Sequence, residues 1–172
     1  MATIKIPVSI VDSRPTIPVT ITNPETKKKI TLSMTLDTGW EMDNIDLKHG
    51  NTLGYNPANA IAKGPNFNMY LTEMTIGSLK PITTYLNVGF ANANNNIFGL
   101  LPMRQYDNFI ITKNTATITD STTGGGTQEG LVKIMKDYNK YIHTSGVPVL
   151  AKKQALFAAS RSNAGAYWRN RM

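Results

Sequence analysis

The chain has 172 residues, 41% of them hydrophobic and 17% charged, with no cysteine and a formal net charge of +7. That length fits one domain, or one domain plus an appendage, and the composition is too apolar and too weakly charged for general disorder. The absence of cysteine excludes disulfides, thiolate nucleophiles and thiolate metal sites, and no apolar run approaches the roughly 18 residues needed to cross a bilayer.

The N-terminal stretch Met1–Pro15 lacks the charged start and long apolar run of a secretory signal, so the expected setting is a soluble protein in a reducing cytoplasm. Ile4, Ile6, Val8 and Ile10 alternate with polar or small residues, the period-2 pattern of a half-buried strand. Ile17, Val19 and Ile21 repeat it after Pro15, and a polar turn from Asn23 to Lys29 leads into a third alternating run, Ile30, Leu32, Met34 and Leu36. These runs predict a β-hairpin that feeds directly into Asp37-Thr38-Gly39. Further strands are expected over Asn68–Ile76, Thr83–Val88 and Phe109–Ile118, separated by Gly, Pro and Asn clusters, with a short helix at Leu101–Tyr106. Glu41, Asp43 and Asp46 lack the oxygen-ligand alternation of a calcium loop and read as a solvated acidic turn.

The composition changes at Thr122. Residues 122–130, with Gly124-Gly125-Gly126, read as a flexible linker closing a domain of residues 1–121, and residues 131–172 as a basic helical tail. Leu131, Ile134, Met135, Tyr138 and Ile142 fall at helical spacing, and an alanine-rich run from Lys152 predicts a second helix. Residues 1–123 hold ten Lys/Arg against nine Asp/Glu; the last 49 residues hold eight against two, or +6 of the +7. So asymmetric a charge points to an acidic protein or a nucleic acid as partner of the tail, or to packing of the tail on its own domain.

An isolated Asp-Thr-Gly is a common turn tripeptide. Its context here is less common. It ends an alternating strand, and about sixty residues later comes Asn96-Ile97-Phe98-Gly99-Leu100-Leu101-Pro102-Met103, followed by another strand. Between them lies Ala60-Ile61-Ala62-Lys63-Gly64-Pro65-Asn66-Phe67. In order and spacing, residues 15–120 resemble the retropepsin-like aspartic proteases. The resemblance implies a mostly β fold, a small closed acid-protease barrel, here with a C-terminal helical basic extension. It implies an aspartic endopeptidase that acts as a homodimer on a peptide or polyprotein, without cofactor or metal. Asp37 of each chain would be catalytic, Thr38 would bond across the twofold axis, and Gly39 would let the backbone pass close to the carboxylates. Ala62, Lys63, Gly64 and Pro65 would form the flap, and Ile97, Phe98 and Gly99 the element packed behind the active loop. The family occurs in viruses and mobile elements, so a place in a viral particle is a further expectation.

Two carboxylates a few ångströms apart cannot both ionise cheaply and share a proton, so one can activate water while the other protonates the carbonyl oxygen. The sequence holds a single Asp-Thr-Gly, so the second carboxylate must come from a second chain. The chain departs from the family at Trp40, where a small residue is usual after the triplet, and in a short flap with one glycine. The indole either crowds the groove or forms an aromatic wall that selects a side chain. The alternative function is a catalytically silent domain that serves as a docking component of a larger assembly. His49 and His143 have no second histidine at metal spacing and read as surface residues.

Overall fold

The computed structural model describes residues 1–122; the expected tail, and the expected linker beyond Thr122, lie outside them. The strands are Thr3–Pro7 (β1), Ser9–Val11 (β2), Arg14–Thr22 (β3), Lys29–Leu36 (β4) and Asp43–Ile45 (β5). A helix, Leu47–Leu53 (α1), and a single 3-10 turn at Pro57–Asn59 follow. Then come Ala62–Lys63 (β6), Phe67–Thr75 (β7), Ile82–Gly89 (β8), Ile97–Phe98 (β9), the short helix Leu100–Met103 (α2), Asn108–Ile111 (β10) and Thr115–Thr119 (β11).

Eight strands form one sheet in the order β2-β3-β4-β9-β5-β8-β7-β6, and β7 also pairs with β3. Six of them, β3, β4, β9, β5, β8 and β7, therefore close into a barrel. The inward positions of β3 and β4 are those the alternation singled out: Ile17, Val19, Ile21 and Met34 are fully buried, together with Phe98, Leu86 and Met74. A second sheet, β1-β11-β10, covers the core with Ala116 and Ile118. Phe109 of β10 stacks on Phe98 at a ring-centroid distance of 5.6 Å, which ties this sheet to the barrel.

Three expectations are refined. The run Ile4–Ile10 is two strands in two sheets, β1 on β11 and β2 on β3, because the chain changes partner at Pro7-Val8. Ile10 is consequently 62% exposed. The run Phe109–Ile118 is likewise a hairpin, β10–β11, turned at Thr112–Thr115 by the Thr112 N–H to Thr115 O bond of 2.8 Å. The segment read as a solvated acidic turn is neither solvated nor a turn. Asp43 lies in β5, inside the barrel wall, and Glu41, Asp43 and Asp46 are 6%, 0% and 2% exposed.

Candidate functional site

Asp37 is the first residue beyond β4, where the barrel strand gives way to a loop. Its N–H donates to Phe98 O (3.1 Å), its carbonyl accepts from Trp40 N (3.3 Å), and its Oδ1 accepts from Gly39 N (2.9 Å). The triplet is thus an Asx-type turn whose own side chain holds the loop shape. Asp37 is only partly buried, and Thr38 beside it is exposed.

The loop rests on β9 and α2. β4 and β9 run parallel, pairing Thr35 with Ile97 and Leu36 with Phe98. Leu100 N then donates to Trp40 O, and Leu101 N to Glu41 O, both at 2.8 Å. Gly99 lies at this crossing. A Cβ there would stand 2.3 Å from Met42 O and 2.6 Å from Trp40 O, so only glycine lets the two backbones approach this closely. Asp37, Thr38, Gly39, Trp40, Ile97, Phe98 and Gly99 are therefore one physical unit.

The Ala62–Pro65 segment reaches that unit through Trp40. β6 and β7 pair Ala62 with Met69 and Lys63 with Asn68, and the Gly64 N–H to Phe67 O bond (2.8 Å) closes the tip around Pro65-Asn66. Ala62 and Phe67 pack with Trp40 on a small apolar cluster of Met42, Met69 and Leu101. With its amide oxygen turned toward the indole, Asn44 accepts from Trp40 Nε1 at 2.9 Å. Lys63 is exposed and stands apart from the others.

Behind the loop lie three carboxylates of a different kind. Burial pushes Glu41 up to about pH 7, with Arg104 pulling the other way, and leaves its Oε1 without a hydrogen-bond partner among the described residues. Asp43 is raised well above the usual carboxylate range by complete burial, which the Thr84 hydroxyl only partly opposes. Asp46 Oδ1 accepts from Ala93 N (3.0 Å) and Asn95 N (3.3 Å), and so fastens the Asn-rich loop of residues 92–96 to the start of α1. Beside Trp40 is a cavity of about 280 Å³, walled by the turn between β6 and β7, the end of β8 and the Asn-rich loop of residues 92–96. Among the described residues no group of three or more His, Cys, Asp or Glu could hold a metal ion. No described helix is long and apolar enough to cross a membrane.

The molecule is similar to a retropepsin-like aspartic protease from Rickettsia conorii, with a TM-score of 0.53 and 16% identity, over 68% of this chain and 90% of that one. The fold is retropepsin-like. The EIAV protease complexed with the inhibitor HBY-793 is also similar, at 24% identity over 56% of this chain and 90% of that one, with a TM-score of 0.37. No family model and no curated protein matches the sequence.

Within this retropepsin-like fold, sequence reasoning missed α1 and, apart from Trp40 and Pro65, the residues it had not singled out around the cavity. The helix had a signal: Asp46 precedes Leu47 and Gly54 follows Leu53, the usual pattern of a cap at one end and a left-handed glycine at the other. Phe90 and Asn87, brought to the cavity by the end of β8, had none.

Proposed function

We propose that this protein is an aspartic endopeptidase acting as a homodimer, with Asp37 of each chain supplying half of a two-carboxylate site. The observation that carries the reading is a partly exposed Asp37 on an Asx turn at the end of a barrel strand, within a retropepsin-like fold. The single Asp-Thr-Gly of the sequence requires a second chain for the second carboxylate. The pair would share one proton, the ionised member taking a proton from water while the protonated member gives its own to the peptide carbonyl oxygen. Its two pKa values would belong to the pair rather than to either residue. Gly39 N–H on Oδ1 fixes the carboxylate orientation, and the Phe98 and Leu100 contacts keep the loop from retreating. Asp37→Asn should abolish cleavage of a peptide library while the dimer stays folded, because an amide can neither accept the water proton nor share one. Unchanged cleavage by this variant would refute the reading.

One observation favours a second reading, a silent docking domain: Trp40 packs beneath the flap with Ala62 and Phe67, where a substrate would need room. Trp40→Ala separates the two. If the indole blocks the groove, cleavage appears or rises; if it is a substrate wall, kcat/KM for bulky substrates falls about tenfold or more.

A further inference from the structure

A groove of about 450 Å³ lies along β4 on the approach to Asp37. It carries an inference that rests on the peptidase reading and extends it to substrate choice. Met34 and Leu36 of β4 face the core, so Ser33 and Thr35 face outward and line the groove. The alternation continues past the strand end. Thr35 N donates to Asn96 O (2.8 Å) and Asp37 N to Phe98 O (3.1 Å), two rungs of one parallel ladder. Ser33, Thr35 and Asp37 therefore share a face, with Thr35 about 7 Å from Asp37 along the strand. Asp12 and Arg14 of the β2–β3 hairpin and Asn94 of the Asn-rich loop supply the facing walls. Asp12, Arg14, Ser33 and Asn94 are exposed and Thr35 is partly so, which leaves this polar lining open to a ligand. Thr16 and Asn96 also line the groove but are engaged, Thr16 Oγ1 with Ser9 O (3.1 Å) and Asn96 Oδ1 with Asp46 N (3.2 Å). Among the described residues, Val11 and Ala93 are the only apolar side chains of the lining, and Asp12 and Arg14 the only charged ones.

Such a lining offers donors and acceptors together and carries no net charge. An apolar side chain would displace water from these groups and return no hydrogen bond. A carboxylate would meet Arg14 but also face Asp12, and an ammonium would meet Asp12 but also face Arg14. Among long aliphatic side chains, only one ending in an amide combines donor and acceptor without charge. We propose that this groove is a subsite that selects glutamine in the peptide substrate. The donors of Arg14 and Thr35 meet the amide oxygen, and the oxygens of Asp12 and Asn94 take its N–H groups. Because Thr35 shares a face with Asp37 two residues away, the selected side chain sits close to the bond that is cut.

The test uses the full chain and one peptide frame in which each position around the cut is in turn glutamine, glutamate, lysine or norleucine. Glutamate and norleucine match the glutamine stem but end in a charge or in no polar group. Cleavage is measured with wild type, its products located by mass, and binding with Asp37→Asn, or with wild type if it does not cut. At one position glutamine should exceed the other three by about tenfold or more in kcat/KM and in affinity. Asp12→Asn suits the φ of 49° at that position, leaves Arg14 uncancelled, and should move the preference toward glutamate. Arg14→Gln should move it toward lysine. Glutamine preference in binding with no cleavage would overturn the peptidase reading and leave the subsite standing. Cleavage in which glutamate, lysine or norleucine matches glutamine at every position would overturn the subsite and leave the peptidase reading standing. No binding by any peptide, or a glutamine preference that neither variant alters, would also overturn the subsite. If one variant does not fold, the other and the wild-type series decide.

Discussion

Four carboxylates fall within ten residues, Asp37 on one side of Trp40 and Glu41, Asp43 and Asp46 on the other, and the fold treats them in opposite ways. Asp37 sits on a partly exposed turn and takes a backbone N–H at 2.9 Å. The other three are driven into the barrel wall because the chain must turn back through β5 to pair with β8 and β9. The first group stays open to solvent, whereas burial makes the others part of the packing. An acid-rich stretch next to a candidate active site therefore need not share in its chemistry.

The joint between the two regions is Gly99, and changing it should have the largest effect. Gly99→Ala drives a Cβ into two backbone carbonyls, neither of which can swing away as a side chain would. The loss should reach or exceed the top of the roughly 1–3 kcal/mol that overpacking usually costs. A denaturant melt checks it, and an unchanged midpoint would mean the loops are not locked together.

The buried side predicts a pH dependence. Glu41 titrates at about pH 7 when folded, against 4.5 for the unfolded side chain. The unfolded chain gives up this proton first, so stability is greatest below about pH 4.5 and falls as pH rises through 7. The difference is on the order of 3 kcal/mol. Asp43 acts in the same direction. Glu41→Gln should flatten the slope of the melting temperature between pH 5 and 8, which a pair of thermal scans measures.

Smaller effects refine the contrast. Trp40→Phe keeps most of the apolar packing but gives up the Nε1–H donated to Asn44, a loss of about 1 kcal/mol. Asp37→Asn should change stability by no more than roughly 0.5 kcal/mol, since an amide oxygen can still accept from Gly39. A large loss in that variant would move Asp37 into the same class as Glu41.

Most of the barrel was legible because β3 and β4 alternate strictly, and their apolar positions are the ones that face inward. The Asp37 turn and the close backbone crossing at Gly99 were legible because each carries a local signal, a triplet at a strand end and a glycine after two apolar residues. What escaped was set by partners distant in sequence. Ile4 and Ile10 share one alternation but belong to two sheets, a division decided by β11 and β3. Asp43 is buried because β8 lies alongside it, and nothing in its neighbours along the chain says so. The cavity depends on Trp40, Asn66, Asn87 and Asn95 meeting from four segments, which no single window of sequence contains.

The central claim is that activity needs Asp37 from two chains at once, and mixing tests it most directly. Wild-type protein is combined with Asp37→Asn at a fixed total concentration, subunits are allowed to exchange, and peptide cleavage is followed as the wild-type fraction falls. If the two carboxylates act as a pair, mixed dimers are inactive and an equal mixture keeps about a quarter of the wild-type rate. A rate that falls in simple proportion to the wild-type fraction, keeping about half at equal mixing, would mean that each Asp37 works alone and would contradict the account.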